Sequence, residues 1–374
     1  MALARYKIGD LISVVDERNN IGVRNFFGIN INKEFMPTAA NTEGLDETKY
    51  KLVRKNRFVY SGMQTGRDEC IRISMYTGDT PIIVSPAYTT FEVTALDIVL
   101  PLYFFMKFMT KEKDRYGAFC SDGSVRSNLD WDVFCDIELE LPSIEIQKKY
   151  VNIYNSMLEN QKCYERGLAD LKLTCDAYIE NLRRELPSEP IGRYITQENI
   201  RNTDMAISFV MGLSTKKEFR EPQSRVNKKE ISNYKIVKPE CFAFVPTTDS
   251  WKVLAFSYNS FDKDLVVSPI YEVFKVNKNK LLPKYLAAWL SRKEFDRYAR
   301  FNSWGTTREN FSFYEMTNVK IPIPSIEIQE AVANIYTIYK ERKEINEKLK
   351  AQMKDICPIL IKGSIEEGRK TKEA

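Results

Sequence analysis

Two short polar segments hold the side chains best suited to selective hydrogen bonding: Gly123-Ser124-Val125-Arg126-Ser127-Asn128 and Gly305-Thr306-Thr307-Arg308-Glu309-Asn310. Arginine and asparagine offer forked or paired donors and acceptors that match the edges of DNA bases. Hydroxyls, cations and backbone N–H groups suffice for phosphates. Ser124, Arg126, Asn128, Thr306, Thr307, Arg308 and Asn310 are therefore candidate DNA contacts. The same residue types also close an ordinary turn, with asparagine and hydroxyls satisfying local backbone, and both readings stand. A second polar loop carries Gln64, Arg67 and Arg72, and its counterpart later in the chain holds Trp251 and Lys252. An exposed hairpin without contacts is the alternative there. The basic cluster Lys49, Lys51, Arg54, Lys55 and Arg57, with Lys228, Lys229, Lys235 and Lys238, has the charge to hold phosphates. Such a run more usually means a solvated basic face.

Much chemistry is excluded by what the chain lacks. Its 374 residues contain no histidine, so serine–histidine or cysteine–histidine catalysis is ruled out. Seven cysteines, an odd number with no CxxC pair, fit buried thiols in a reducing cytoplasm rather than disulfides or a zinc site. No apolar run approaches a membrane span, and MALARYKIGD meets charge before a secretory apolar stretch could form. The net charge of +5 is uneven: residues 1–187 carry −3 and residues 188–374 carry +8. An acidic polymer is a possible partner of the second half, on an argument that charge alone supports weakly.

The polar segments recur because the chain recurs. LPSIEIQ at Leu141–Gln147 returns as IPSIEIQ at Ile323–Gln329, an offset of 182 residues. The offset holds without a gap back through DRYGAF (Asp114–Phe119) against DRYARF (Asp296–Phe301) to Pro101 against Pro283. With slips of one or two residues it continues through VSPAY against VSPIY, YKLV against YKIV, KEF (Lys33–Phe35) against KEF (Lys217–Phe219), and Ile8-Gly9 against Ile191-Gly192. Two copies of this length are too few and too long for a solenoid, so each should carry its own core and the molecule should have pseudo-twofold character.

Within each copy, β-branched and aromatic runs such as RFVYSG, TPIIVSP and CFAFVP alternate with Gly, Pro and Asn. One helix is expected at Leu102–Met109, and its counterpart at Tyr285–Ser291. The pattern predicts a mixed α/β (α+β) globular domain. Ser143 with Glu145, and Ser325 with Glu327, are helix-start signals. The first long helix places Tyr150, Tyr154, Met157, Tyr164, Leu168, Leu171, Cys175, Tyr178 and Leu182 at alternating steps of four and three, with Gln161 in the remaining place. The second shows Ile335, Ile338, Ile345, Leu349 and Ile356, broken by Arg342, before Pro358 disfavours continuation. The expected layout is a domain over 1–142, a helix over 143–186, a domain over 187–324, a helix over 325–362 and a frayed, charged tail over 363–374. The helices are expected to pair as an antiparallel coiled coil, or else each packs only on its own domain.

With these features the chain resembles the specificity subunits of type I restriction-modification systems. The likeness spans essentially the whole chain and rests on the duplicated Leu/Ile-Pro-Ser-Ile-Glu-Ile-Gln element opening a long helix, the Gly-Ser/Thr-x-Arg-x-Asn stretch before it, and the order domain, helix, domain, helix. The family often has a second proline and a Glu-Gln pair where this chain has Ser143/Ser325 and Ile146-Gln147/Ile328-Gln329. The resemblance implies two target recognition domains, each reading half of a bipartite asymmetric site in double-stranded DNA. It also implies two helices that set the spacing and dock two methyltransferase subunits. Catalysis and S-adenosylmethionine would belong to those subunits, and a restriction motor-nuclease subunit is a further partner the resemblance allows. Consistent with a non-enzymatic, cofactor-free chain, there is no Gly-rich methyl-donor loop, no Asn-Pro-Pro-Tyr/Phe element and no Walker lysine motif. Two other classes compete: a self-contained metal-dependent nuclease, for which no Asp…Glu-x-Lys set recurs in both copies, and a coiled-coil scaffold without DNA contact, which leaves two globular domains unemployed.

Overall fold

The computed structural model of the protein describes residues 3–38, 41–223, 231–247, 253–305 and 309–373. The chain divides into two compact units, one built from residues 1–162 and 347–374 and the other from 163–346. Each long helix therefore gives part of its length to one unit and part to the other. Among the described residues no helix is long and apolar enough to cross a membrane.

Both units are mixed α/β and repeat one topology. In the first, an antiparallel sheet runs in the order Ile12–Val14, Thr89–Val93, Phe58–Ser61, Arg72–Met75. In the second, the equivalent strands Ile195–Glu198, Glu272–Val276, Phe242–Phe244 and Phe256–Tyr258 keep that order. Phe58 stacks on Phe91 with ring centroids 5.0 Å apart, and Phe242 stacks on Phe274 at 4.9 Å, so the same aromatic pair centres both sheets. A second layer in the first unit runs Phe35–Pro37, Phe26–Ile29, Ile82–Val84, Lys51–Val53, with one parallel pair. The second unit repeats its elements as Gly212–Leu213 with Phe219–Arg220 and Lys235–Val237 with Leu265–Val267. The strands leading into the long helices are clamped alike: Glu138–Leu141 pairs with Ala4–Lys7, and Lys320–Pro322 with Ser188–Pro190.

Helices Pro101–Phe108 and Pro283–Leu290 begin on proline, whose missing N–H costs nothing in a first turn. Each is followed by a helix that apolar periodicity did not reveal, Lys111–Phe119 and Lys293–Phe301. The inner face of each is pinned by an ion pair. Lys33, at a hairpin tip with φ 63°, reaches Asp114 Oδ1 and Oδ2 at 2.7 and 2.8 Å. Lys217, in the equivalent hairpin with φ 62°, donates to Asp296 Oδ2 at 2.9 Å and to the Leu290 carbonyl at 3.0 Å. The repeated KEF and DRY motifs are thus the two ends of one buried contact. Burial pushes the Asp296 carboxyl up and the Lys217 ammonium down, so mutual attraction is what keeps both charged.

The long helices run Ile144–Glu185 and Ile326–Glu373. Ser143 and Ser325 precede them, and Glu145 and Glu327 are held below the usual carboxylate range, Glu145 by its own backbone N–H and the Ser143 hydroxyl, Glu327 by the Ser325 hydroxyl and its own N–H. One turn in, Gln147 is fully buried. Its Oε1 accepts from Leu100 N at 3.0 Å, and its Nε2 donates to the Ile98 and Pro142 carbonyls at 2.8 and 2.9 Å. Gln329 repeats all three bonds, with Leu282 N at 2.8 Å and the Lys280 and Pro324 carbonyls at 2.9 Å.

Within each unit the helix segments pack antiparallel. In the first, Tyr150, Val151 and Tyr154 join Ile356, Cys357, Leu360 and Ile361 in the domain core, and Lys149 pairs with Glu367 at 2.8 Å. In the second, Cys175, Ile179 and Leu182 pack with Val332, Ile335 and Tyr336. Each segment also packs on its own globular body, so both expected arrangements hold together. Met157, Leu168, Leu171 and Leu349 are half-buried, as a seam requires.

Three expectations need correction. Ile338 and Ile345 are 45% and 41% exposed, while Tyr336, Tyr339 and Asn346 take inner places; the Tyr336 hydroxyl lies 2.8 Å from Ser291 Oγ, which lets a polar-tipped ring go inside. Tyr178 is likewise outward and Ile179 inward, because the buried face follows the 3.6-residue turn rather than a strict 3.5 repeat. Finally, the second helix does not stop at residue 362 or fray. It continues through Pro358 to Glu373, with Cys357, Leu360 and Ile361 buried around the proline and Ser364 Oγ 2.6 Å from the Tyr103 hydroxyl. Burial on that face offsets the roughly 3 kcal/mol that an interior proline costs.

Ser364→Ala should leave the buried Tyr103 hydroxyl unpartnered and cost about 1–3 kcal/mol, read as a lower denaturation midpoint; an unchanged midpoint would mean that the tail is not docked. Lys33→Met should cost about 3–5 kcal/mol by stranding a carboxylate, and Lys33→Met with Asp114→Asn, which keeps the Asp114 Oδ1 bond to Ile71 N at 3.0 Å, should recover most of it. Equal losses in the single and double variants would show that the pair carries no mutual stabilisation.

Candidate nucleic-acid interface

The two polar loops of the first copy, sixty residues apart in sequence, form one surface. Leu129 N donates to the Gly62 carbonyl at 2.9 Å, Gly66 N to the Ser127 carbonyl at 3.0 Å, and Gln64 N to Asn128 Oδ1 at 3.2 Å. The approach is close enough that a Cβ at Gly62 would sit 2.0 Å from the Leu129 carbonyl oxygen, and one at Gly66 1.9 Å from Ser127 Oγ. Gln64, Glu69 and Ser127 all hold positive φ here (61°, 46° and 48°). Side chains that disfavour this region are held in it by the surrounding bonds, a strain that gathers at binding surfaces.

The candidates then divide by what they touch. Asp122 Oδ1 accepts from Ser124 Oγ at 2.7 Å and from Asn128 N at 2.9 Å, so Ser124 and Asn128 build the turn. Those bonds, the Ser124 hydroxyl foremost, hold the Asp122 carboxyl below its usual range. Arg126 is exposed beside Val125, which is 99% exposed, and has no hydrogen-bond or ion-pair partner among the described residues. Gln64 Oε1 accepts from Arg67 Nη2 at 3.0 Å and Arg72 Nη2 at 3.3 Å, and both arginines also bond Asp68. That network fixes their guanidinium planes, with Arg67 outward and Arg72 half-buried.

In the second copy the same backbone frame recurs. Phe311 N donates to the Pro246 carbonyl at 2.7 Å, as Leu129 N does to Gly62. Trp304 N donates to the Asn310 carbonyl at 3.1 Å, as Asp122 N does to Asn128 at 2.8 Å. Asn310 is exposed, and Thr306, Thr307 and Arg308 lie outside the described residues, as do Trp251, Lys252, Lys228 and Lys229. Trp304, 70% exposed where the first copy has Asp122, is a surface residue that the sequence reading missed. Its signal was a lone tryptophan one residue before the repeated glycine.

The basic cluster is neutralised rather than free. Arg54 and Arg57 both pair with Glu17 at 2.8 Å, Arg57 also with Glu92 at 2.8 Å, Lys51 with Asp16 at 3.2 Å, Lys55 with Asp79 at 2.7 Å, and Lys49 with Asp46 at 3.6 Å. Arg54 and Arg57 pull the Glu17 carboxyl down to about 2. Lys235 is likewise held by the Tyr271 carbonyl at 2.6 Å and Glu272 at 3.4 Å, whereas Lys238 is exposed. Among the described residues no three Cys, Asp or Glu side chains are grouped to hold a metal ion.

Residues 254–355 match the type I restriction modification DNA specificity domain. In fold the chain is similar to the type I restriction-modification system S subunit from M. genitalium, with a TM-score of 0.61 at 10% identity over 97% of this chain and 96% of that one. It also aligns with the HsdS subunit from Thermoanaerobacter tengcongensis, at 12% identity over 97% of this chain and 96% of that one, but the TM-score of 0.44 is too low to carry weight. No curated protein matches it in sequence. Residues 254–355 of the second copy thus match a type I restriction modification DNA specificity domain, the first copy repeats the same topology and loop bonds, and over nearly its whole length the chain shares the fold of an S subunit.

Proposed function

We propose that each copy reads one half of a bipartite, asymmetric site in double-stranded DNA through the loop pair Gly62–Arg72 and Asp122–Leu129 and its second-copy equivalent around Trp304–Phe311. The observation that carries this reading is the combination of one backbone frame, two of whose bonds recur in both copies, with different side chains mounted on it. A constant frame with variable fittings suits two half-sites of different sequence. Arg126 is the foremost base reader of the first half and Arg308 of the second. Gln64, Arg67, Arg72, Trp251, Lys252, Thr306, Thr307 and Asn310 serve beside them, while Ser124 and Asn128 hold the loop.

The long helices, at about 1.5 Å rise per residue, set the separation between half-sites and dock two methyltransferase subunits. The layout that goes with this reading is a recognition domain over 1–142, a helix over 143–186, a recognition domain over 187–324 and a helix from 325 onward. Methyl transfer and the S-adenosylmethionine it consumes belong to the partner subunits, in the cytoplasm where the DNA is, and a motor-nuclease subunit joins when the complex restricts. This chain supplies address rather than chemistry.

Arg126→Ala should alter one half of the methylated sequence and Arg308→Ala the other. Where the arginine forks onto a base, the loss should be about 1–3 kcal/mol at that position, with relaxed specificity there. Methylation profiles and affinity unchanged by both substitutions would remove these loops from the DNA interface.

A further inference from the structure

Helices Lys111–Phe119 and Lys293–Phe301 turn their inner faces to the ion pairs already described, and their outer faces carry the same three residues at the same spacing. Lys111, Arg115 and Phe119 stand four residues apart in the first copy, and Lys293, Arg297 and Phe301 in the second. All six are exposed, Phe119 at 84% and Phe301 at 82%. Residues at steps of four lie on one helix face, about 6 Å apart along the axis.

Buried packing explains why Asp114 and Asp296 are kept in both copies, but it does not explain the outer stripe. The helix just before it shows the contrast: PLYFFMKF and PKYLAAWL share only the proline and the tyrosine. Surface that is retained while neighbouring sequence diverges should meet something that is the same for both copies. The loops differ because half-sites differ; the sugar-phosphate backbone does not. Two cations in line suit consecutive phosphates; Arg115 has no carboxylate partner among the described residues, and Arg297 has a solvent-exposed pair to Glu294 at 2.9 Å that leaves most of its side chain open. The second copy adds Arg300 to the exposed face. An apolar ring at the stripe's end, three residues before the Asp122–Asn128 turn, fits the apolar faces of deoxyribose at the groove edge.

We infer that the Lys-Arg-Phe stripe on this helix is a sequence-independent DNA-backbone anchor, present once per copy and set beside each reading loop. The inference rests on the DNA-reading function proposed above. It adds phosphate and sugar contacts that position the base-reading arginines without discriminating sequence.

The test uses the full chain assembled with its methyltransferase subunits and measures duplex affinity across a salt series, for the methylated target and for an unrelated duplex. Lys111→Gln with Arg115→Gln should weaken both duplexes alike and reduce the salt slope by about 1.8, at roughly 0.9 for each phosphate no longer neutralised. The same pair of changes at Lys293 and Arg297 should do likewise. Phe119→Ala should lower affinity with the slope unchanged, and none of these variants should alter the methylated sequence. Unchanged affinity and slope in a properly assembled complex would overturn the anchor, and so would weakened assembly with normal DNA binding, which would assign the stripe to the protein partner. If Arg126→Ala shifts one half-site while the stripe variants bind normally, only the anchor fails; if the wild-type complex shows no sequence preference, the function itself fails.

Discussion

The duplicated architecture hangs on one buried side-chain amide per copy. Gln147 and Gln329 each tie the first turn of a long helix to the segment entering helix Pro101–Phe108 or Pro283–Leu290, through three hydrogen bonds of 2.8–3.0 Å. A buried amide with every bond satisfied is directional in a way that apolar packing is not. It fixes the angle at which the helix leaves its domain. A firm exit angle within each unit gives a physical reason for the Pro-Ser-Ile-Glu-Ile-Gln element to be the best-kept stretch of the repeat. The serine hydroxyl meets the first-turn glutamate, the isoleucines are buried or half-buried, and the glutamine locks the helix.

The same economy organises the paired polar loops. Lys33 and Lys217 fasten a hairpin to the inner side of a helix, that helix leads directly into a polar turn, and backbone bonds fasten the turn to the strand end at Gly62 or Pro246. None of these bonds depends on which side chains face outward. The frame therefore tolerates Asp122 in one copy and Trp304 in the other, and the exposed residues can change without unmaking the fold.

Sequence alone made the repeat, the mixed α/β class, both long-helix starts and the two polar loops legible, because these rest on identity between copies and on local start signals. It could not show that the loops at Gln64 and Asn128 touch, since a contact between residues 64 positions apart leaves no local pattern. Nor could it separate Ser124 from Arg126: both types suit a turn or a DNA contact, and only the bond to Asp122 tells them apart. The second seam failed where the aliphatic stripe alone is followed and Tyr336 and Tyr339 are passed over. Tyr336 is buried by sending its hydroxyl to Ser291, and no apolar stripe predicts that. Pro358 failed for a different reason: local propensity argued for an end, and tertiary burial around Cys357 and Leu360 overrode it. The helix Lys111–Phe119 escaped notice because its inner face is an aspartate paired across the domain rather than a row of aliphatic residues.

Two copies of one frame, in the reading proposed above, serve two different half-sites held at a fixed separation. Sequencing the sites methylated when this chain is assembled with the proposed methyltransferase subunits is the test. The expected result is a split, asymmetric motif, two defined half-sites flanking a spacer of fixed length and undefined sequence. A single uninterrupted motif, a palindrome, or methylation without sequence preference would contradict it.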